Sequence, residues 1–209
     1  MMYFTRDHID QLEHLYKINL INSVSGFKSA NLIGTKSKNG TSNVAVFSSV
    51  VHYGSAPPIL GFVLRPTTVR RNTYDNIKET GYFTVNHIHQ GIIEDAHHTS
   101  AKYSSDVSEF DMTSLEEEYL NEFYAPFVKG SPIKIGLKYV EEYYIKANDT
   151  ILVLGEILDL YIEERLVKED GFVNLSEAKV AAINGLDSYS VPEQNKRLTY
   201  QRPKSKLLE

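Results

Sequence analysis

The sequence of 209 residues contains no cysteine and no tryptophan. Without cysteine it can form no disulfide, no thiolate metal site and no iron–sulfur cluster, and it has no thiol nucleophile. Long apolar runs are also missing, since stretches such as 59–64 fall far short of the ~20 residues of a membrane-spanning helix. The N-terminus lacks the apolar core of a signal peptide. We therefore expect a cytoplasmic protein with no membrane association.

An excess of positive charge is absent as well. The chain has 22 Lys and Arg against 27 Asp and Glu, a formal net charge of -5. Its basic residues are scattered, apart from a short cluster at Arg65, Arg70 and Arg71 and a tail over 196–206. Nucleic acids and anionic membranes both require a positive face. We therefore expect neither as a partner.

The sequence motifs of serine hydrolases, P-loop proteins, zinc proteases and dinucleotide-binding folds are missing too. An enzyme without a recognisable nucleophile or metal motif often depends on an organic cofactor, for which the protein supplies binding and orientation. The composition, 42% hydrophobic and 23% charged, is that of an ordinary globular protein. No repeat or linker divides the chain, so we predict a single domain over 1–209.

Several segments have the alternation and composition of β-strands. The predicted strands are Ser29–Thr35, Ser42–Val51, Ile59–Leu64, Tyr82–Ile88, Ile133–Lys146 and Thr150–Ile162, with shorter ones inside Phe172–Tyr189. Asn39-Gly40 predicts a hairpin between the first two, and Pro57-Pro58 predicts the start of the third. Strands arranged mainly as hairpins favour a mainly β, antiparallel barrel or sandwich with peripheral helices.

Helical patterns are shorter. Thr5 is predicted to cap a first helix that carries Ile9, Leu12, Leu15 and Tyr16 on one face. Thr68 is predicted to cap a second, which runs through Glu79 and ends at Gly81; its inward residues are Val69, Thr73, Tyr74 and Ile77. Two further short helices are expected within 90–124, one of them starting at a capping box at Ser114.

One candidate binding element is the junction between a strand and a helix over 65–73. Its cationic, hydroxyl and amide side chains are Arg65, Thr67, Thr68, Arg70, Arg71, Asn72 and Thr73. A helix N-terminus presents free N–H groups and a positive dipole, and guanidinium groups bind phosphate oxygens in pairs. The junction therefore predicts a phosphate site, although a capped helix start with solvated arginines has the same pattern.

A second candidate is the strand end at Ser48 and Ser49, after the apolar run 43–47. Small hydroxyl residues let a flat ligand approach the backbone, where N–H, C=O and hydroxyl groups can meet the polar edge of a ring. Serines that simply end a strand at a turn would look the same.

Three ordered segments, 43–49, 57–62 and 71–86, together resemble the flavin reductase-like family. That family shows an N-x-A-P-F-S-like strand end, a P-P strand start and a K-D-T-x-x-N-I-x-x-T-G-x-F-x-V-N segment in this order. The resemblance spans 30–140 and, more loosely, 155–189. Here Arg71-Asn72-Thr73 replaces K-D-T, Val46 replaces the proline, and 185–189 is similar to the flavoredoxin branch.

The resemblance implies an antiparallel Greek-key split barrel that forms a homodimer and binds FMN, less often FAD, near the dimer interface. By position, Ser48, Ser49 and Val50 would line the isoalloxazine and ribityl groups. The phosphate would be held by 71–73 with Arg65 and Thr67. The resemblance also implies a flavin reductase that uses NADH or NADPH.

Three alternatives remain open. The first is a flavoredoxin-like carrier that binds FMN without turning over NAD(P)H and passes electrons to a protein acceptor. The second is an oxidase of the pyridoxal-phosphate type on a similar barrel. The third is a dimer without enzymatic activity that uses the barrel to bind a partner.

Seven histidines raise the question of a metal site. His87 and His89 alternate on a predicted strand, and His97 and His98 follow, but the spacing matches no metal motif and we predict no metal. His52 or His87 would instead relay a proton or bind the nicotinamide carboxamide. Of these, His52 is the candidate catalytic residue.

Overall fold

A computed structural model describes residues 1–104, 106–193, 196–200 and 202–203. The helices are α1 (Arg6–Gln11), α2 (His14–Val24), α3 (Asn72–Thr80) and α4 (Ile93–His98), with 3₁₀ turns at Gln90–Ile92 and Glu164–Leu166. The strands are β1 (Lys28–Ser29), β2 (Asn31–Lys36), β3 (Ser42–Phe47), β4 (Val51–Ser55), β5 (Pro58–Leu64), β6 (Tyr82–His87), β7 (Glu117–Glu118), β8 (Phe127–Val128), β9 (Ile133–Ile145), β10 (Thr150–Ile162), β11 (Ala182–Asn184) and β12 (Ser188–Ser190). Part of the irregular tail predicted beyond Tyr189 lies outside the described residues.

A seven-stranded antiparallel sheet forms most of the fold, in the order β3-β2-β6-β9-β10-β5-β4. After β5 the chain crosses through α3 to the middle of the sheet, where β6 pairs with β2, and this long connection gives a Greek-key order. The two edge strands, β3 and β4, follow each other in the chain with only 48–50 between them. Because three residues span little more than ~10 Å, the sheet must curl until its edges meet. The predicted mainly β barrel is confirmed.

The interior of the barrel is filled by large apolar side chains from facing strands. The rings of Phe47, Phe62 and Phe83 form a chain of edge-to-face contacts, with centroids 5.1 Å and 5.7 Å apart. Gly155 leaves room for this packing, since a Cβ at that position would collide with the Phe83 ring. Edge-to-face pairs of this kind stabilise a core beyond the area they bury.

The predicted strand 42–51 is wrong in one respect. β3 ends at Phe47, and Val51 opens a new strand that pairs with β5 at the opposite edge of the sheet. A continuous strand would keep pairing with β2, whereas closure of the barrel requires the chain to change partner here. The other hairpins are confirmed, and Gly40 has the positive φ of 91° that the Asn-Gly turn predicts.

The first helix is divided in two, which corrects the prediction of one helix with an apolar face. Leu12 is extended, and the Glu13 carboxylate accepts from the N–H groups of Leu15 and Tyr16, so that a second helix begins. Thr5 caps α1 as predicted. In the described structure no side chain of α1 or α2 is buried, and Leu15 remains 65% exposed.

The second short helix expected within 90–124 is also wrong. Ser114 starts no helix; its N–H donates to Asp95 at 3.1 Å, and β7 pairs with β8 shortly afterwards. Leu115 and Phe123 are buried at separate places rather than along one helical face, so packing overrides the local capping pattern. In the described part of the chain, no helix is long and apolar enough to cross a membrane.

Candidate functional site

The segment Ser48–Val50 is the seam at which the two edges of the sheet meet. The Ser49 hydroxyl lies 3.1 Å from the Val63 N–H, which donates to it, and 3.0 Å from the Val63 carbonyl, to which it donates. It therefore replaces a missing ladder contact between the seam and β5. Ser29 fixes the other side of the seam by donating to the Val50 carbonyl at 3.1 Å. The seam thus has a defined backbone although it belongs to no strand.

The helix after the Arg-rich segment begins later than predicted. Its N-cap is Arg71, not Thr68, and the Arg71 side chain makes no capping hydrogen bond to the first turn. Val69 is half exposed rather than inward, because the turn of the helix that would have carried it does not form. Gly81 ends the helix with a φ of 80°, as predicted. The start of α3 therefore lacks the side-chain acceptor that usually satisfies its first N–H groups.

Thr73 turns away from solvent and anchors α3 to the barrel. It is 5% exposed, and its Oγ1 lies 3.1 Å from the side-chain amide of Asn43 on β3. With the amide oriented so that both ends are satisfied, Asn43 accepts from Thr73 and donates to Glu109 at 3.2 Å. Burial raises the pKa of Glu109, whose carboxylate also accepts from the Val44 N–H at 3.2 Å. The Thr73 hydroxyl therefore fixes the position of the helix start. This contact does not use the backbone N–H of Thr73, which lies in the first turn of α3.

Arg71 differs from the two neighbouring arginines. Its Nε is shut off from solvent and has no hydrogen-bond partner among the described residues. Arg70 forms an exposed 2.8 Å pair with Asp75, and Arg65 is exposed. A buried N–H without a partner is costly and rare, so this Nε, unpartnered among the described residues, is a candidate donor to an anionic ligand.

The seam and the helix start are connected by two short stretches of the chain. Val63, which binds Ser49, is followed by the end of β5 and by the exposed segment 65–70, which leads to Arg71. Thr73 then binds Asn43, which precedes Ser49 by six residues on the β3 side. At about 3.3 Å per residue, the two contacts are separated by no more than ~20 Å. The Ser49–Val63 and Thr73–Asn43 contacts are thus joined by β3 on one side and by the segment 64–72 on the other.

Thr67, Thr68 and Asn72 complete the predicted set. Both threonines are exposed in the segment that leads to α3, and Asn72 opens the helix in a half-buried position.

The histidines are dispersed. His52 is exposed on β4, 3.3 Å from the Ser55 hydroxyl, and His97 and His98 contact Tyr189 and Tyr103, respectively. Over the ranges that the structure describes, no group of three or more His, Cys, Asp or Glu could hold a metal ion. His87 has a different environment, since its Nδ1 is buried without a partner in the described structure.

Glu109 and Ser29 are residues of the site that sequence reasoning did not identify. Glu109 contacts Asn43 from 66 residues further along the chain, within the segment 90–124 in which two short helices are predicted. The sequence predicts Ser29 only as the start of a strand. No local signal marks either residue, because each is defined by the partner that the closed barrel places beside it.

The antiparallel Greek-key barrel defines the class of the protein, which is a split-barrel protein. Comparison with known proteins gives the family. The model of the flavin reductase like domain matches residues 25–181, and the chain belongs to that family. It is therefore a flavin-binding, flavin-related oxidoreductase by family.

Solved structures agree with this fold. A split-barrel protein of Shewanella frigidimarina NCIMB 400, assigned to the flavin reductases, is 46% identical, covers 96% of this chain and 100% of its own, and has a TM-score of 0.93. Component B of nitrilotriacetate monooxygenase from Bacillus cereus is 17% identical, with coverage of 95% and 98% and a TM-score of 0.82. Flavoredoxin of Desulfovibrio vulgaris (Miyazaki F) is 20% identical, with coverage of 87% and 92% and a TM-score of 0.68. The last two support the fold alone.

Proposed function

We propose that the protein binds FMN and acts as an NAD(P)H-dependent flavin reductase. The observation that carries the proposal is the buried, unpartnered Nε of Arg71 at the start of α3. Family membership makes a flavin the expected ligand, and Arg71 marks where its anionic end would bind. The residues present therefore fit the cofactor.

The phosphate would be held at the helix start. Arg71 would donate from its guanidinium group, and the N–H groups of Asn72 and Thr73 would donate from the first turn of α3. Arg65 and the hydroxyls of Thr67 and Thr68 lie in the exposed segment that precedes the helix and would close over the same anion. A single clasp of this kind suits the terminal phosphate of FMN better than the internal diphosphate of FAD.

The ring would lie at the seam. Ser49 uses its hydroxyl to hold β5, and the Val50 carbonyl accepts from Ser29. The Ser48 side chain, the backbone groups of 48–49 and the Val50 N–H would therefore meet the polar edge of the isoalloxazine. Because Ser29 and Ser49 fix the seam from both sides, this edge is organised before the ligand arrives, which reduces the entropic cost of binding.

When bound, the flavin supplies the redox chemistry, taking a hydride from NADH or NADPH and delivering electrons to an acceptor. The protein's part in that reaction is to bind and orient. No side chain at the seam is required as an acid or a base. His52, the sequence candidate for proton relay or nicotinamide binding, is exposed on β4 and bonds only to Ser55 among the described residues.

We also propose that the protein is a homodimer with its flavin near the interface. The described structure exposes many large apolar side chains on the N-terminal helices, on β4 and on the β9–β10 hairpin. They include Leu15, Tyr16, Ile21, Val24, Phe27, Val51, Tyr53, Tyr143, Tyr144, Leu158 and Leu160. Exposed apolar surface on this scale is typical of an interaction site, and a second copy would cover it. Sedimentation velocity should give twice the 23.7 kDa of one chain.

The test begins with the visible spectrum of the purified protein and a titration of the flavin-free protein with FMN. Saturable quenching of FMN fluorescence, followed by NADH or NADPH oxidation when free FMN is added, is the expected result. Absence of both flavin absorbance and FMN binding would overturn the proposal. Mass analysis of the released flavin would distinguish FMN from FAD.

The second candidate, an electron carrier, is favoured by the structural likeness to flavoredoxin. Its expected result is FMN binding without oxidation of either pyridine nucleotide above background. A physiological role would then require a protein electron acceptor. Activity on pyridoxine phosphate would instead indicate the pyridoxal-phosphate-type oxidase.

A further inference from the structure

The segment 108–110 lies against three consecutive residues of β3. The three pairs are Ser108 with Ser42, Glu109 with Asn43, and Phe110 with Val44. The hydroxyls of the first pair are 3.2 Å apart, and the third pair belongs to one buried apolar cluster. Neither of these two flanking pairs involves α3, so the barrel itself sets the position of Glu109.

One oxygen of the Glu109 carboxylate faces two N–H donors. It lies 3.2 Å from the backbone nitrogen of Val44 and 3.2 Å from the side-chain nitrogen of Asn43, and Glu109 is buried. With the Asn43 amide turned the other way, its carbonyl oxygen would face the carboxylate and its NH₂ group would face the Val44 N–H. Two acceptors or two donors in contact form no hydrogen bond, so Glu109 fixes the orientation of the amide.

The orientation of Asn43 determines how the Thr73 hydroxyl is used. The amide oxygen of Asn43 accepts from Thr73 Oγ1 at 3.1 Å, so the hydroxyl proton of Thr73 points to β3. Thr73 is the second residue of α3, and its side chain is buried. A hydroxyl has one proton to donate, and this one is already committed to the barrel. A phosphate at the helix start would therefore bind the backbone N–H of Thr73 rather than its hydroxyl.

The first N–H groups of α3 depend on where the helix start is held. The N-cap residue, Arg71, makes no side-chain hydrogen bond to the first turn, so these N–H groups receive no acceptor from it. Hydrogen bonds weaken steeply as their angle departs from linear. A small shift of the first turn would therefore weaken several donors to the same phosphate at once.

We propose that Glu109 is a positioning residue of the flavin-phosphate site. Its carboxylate orients Asn43, Asn43 holds the Thr73 hydroxyl, and the N–H groups at the start of α3 are thereby aimed at the phosphate. The inference rests on the proposed function, because it names the distant residue that sets the geometry of that site. Loss of the Glu109 acceptor should therefore weaken binding of a flavin that carries the phosphate and spare a flavin that lacks it.

Two flavins that differ only in the phosphate distinguish a positioning role from a general loss of structure. FMN and riboflavin are titrated into the full-length flavin-free protein by fluorescence quenching, and the ratio of the two affinities is compared between variants. Glu109→Met keeps the length of the side chain and removes the acceptor, whereas Glu109→Gln keeps an acceptor oxygen. Glu118→Met is the control, because it removes another partly buried carboxylate, the partner of Lys134 on β9.

Glu109→Met should weaken FMN binding about tenfold, the effect of losing roughly one hydrogen bond to a charged group, and riboflavin binding less than about twofold. Glu109→Gln should keep the affinity for FMN within about threefold of the parent protein, and Glu118→Met should keep both affinities within about twofold. Circular dichroism checks that the variants are folded. Should Glu109→Met fail to fold, Glu109→Asp, which withdraws the carboxylate by one methylene, should also lower the affinity for FMN relative to riboflavin.

An unchanged ratio of the FMN and riboflavin affinities in the Met or Asp variant would overturn the inference and leave the proposed function intact. Equal losses of FMN affinity in Glu109→Gln and Glu109→Met would overturn it as well, because the acceptor oxygen would then have no effect. A parent protein that binds neither flavin would overturn the proposed function, and the inference with it.

Discussion

The hydroxyl of Thr73 lies 3.1 Å from the side-chain amide of Asn43, although the two residues are 30 positions apart in the chain. Both are buried, and the contact fixes the first turn of α3 against β3. Glu109 supports it from behind, 3.2 Å from the same amide. The position of the candidate phosphate site therefore depends on a buried polar network as well as on its exposed arginines.

Replacing Thr73 by Val should destabilise the protein by about 1–3 kcal/mol, because the Asn43 amide would lose its buried partner. Thr73→Ser is the matched control and keeps the hydroxyl, so it should cost less than about 1 kcal/mol. Urea denaturation of the three proteins measures the difference. Equal stability of the Val and Ser variants would show that the contact does not anchor the helix.

Arg71→Gln should weaken FMN binding by about 10- to 100-fold, the effect of losing a charge-assisted hydrogen bond at a partly buried site. Arg70→Gln is the control, since Arg70 already pairs with Asp75 at the surface and exposed pairs contribute little. Fluorescence titration of FMN gives both affinities. If the two variants lose the same affinity for FMN, Arg71 is not the main phosphate-binding residue.

Ser49→Ala should lower the free energy of unfolding by about 1–3 kcal/mol, because the Val63 N–H and carbonyl both lose their partner at the seam. Ser48→Ala, one residue earlier, removes a hydroxyl from the seam without touching Val63 and should change stability by less than about 0.5 kcal/mol. Thermal and urea denaturation measure the two variants. A neutral Ser49→Ala would mean that closure of the barrel does not depend on this side chain.

His87 should make the protein less stable in mild acid. Its pKa falls from 6.5 to about 4 on folding, because burial disfavours the charged ring. Between these values the unfolded chain binds a proton that the folded protein does not, so stability drops as the pH falls from about 6.5 toward 4. By pH 4.5 the loss should be about 2 kcal/mol.

The measurement is urea denaturation at pH 7 and pH 4.5 for the parent protein and for His87→Leu. The variant should lose about 2 kcal/mol less than the parent over this interval, even if its stability at pH 7 is lower. His52→Leu, which removes an exposed histidine instead, is the matched control. Parallel curves for the parent and His87→Leu would contradict the burial of a neutral ring.

Local signals were sufficient for the hairpins and for most of the sheet. The Asn39-Gly40 turn, the Pro58 start and the two long strands of β9 and β10 are each encoded within a few residues. The candidate cofactor residues could also be located, because the strand end and the Arg-rich junction carry their chemistry in sequence. Their roles in binding remain predictions.

The features that the sequence did not predict depend on contacts between residues that are distant in the chain. The strand 42–51 divides at Ser48 because closure of the barrel moves Val51 to a new neighbour, which no local pattern encodes. Thr68 is a good cap by composition, yet α3 starts at Asn72, where Thr73 finds Asn43. The break between α1 and α2 has a local cause, the capping carboxylate of Glu13. The apolar periodicity of the sequence continues across this break and therefore predicts one helix.

The seam makes the closure of the barrel sensitive to ligand binding. The barrel is closed between β3 and β4 by the three residues 48–50 and by the hydroxyls of Ser29 and Ser49. The proposed flavin ring would bind at the same place. A ligand that stiffens or displaces Val50 should therefore change the stability of the contacts that close the barrel. Binding of a ligand at the seam should slow amide hydrogen exchange along both β3 and β4, including residues that the ligand does not contact.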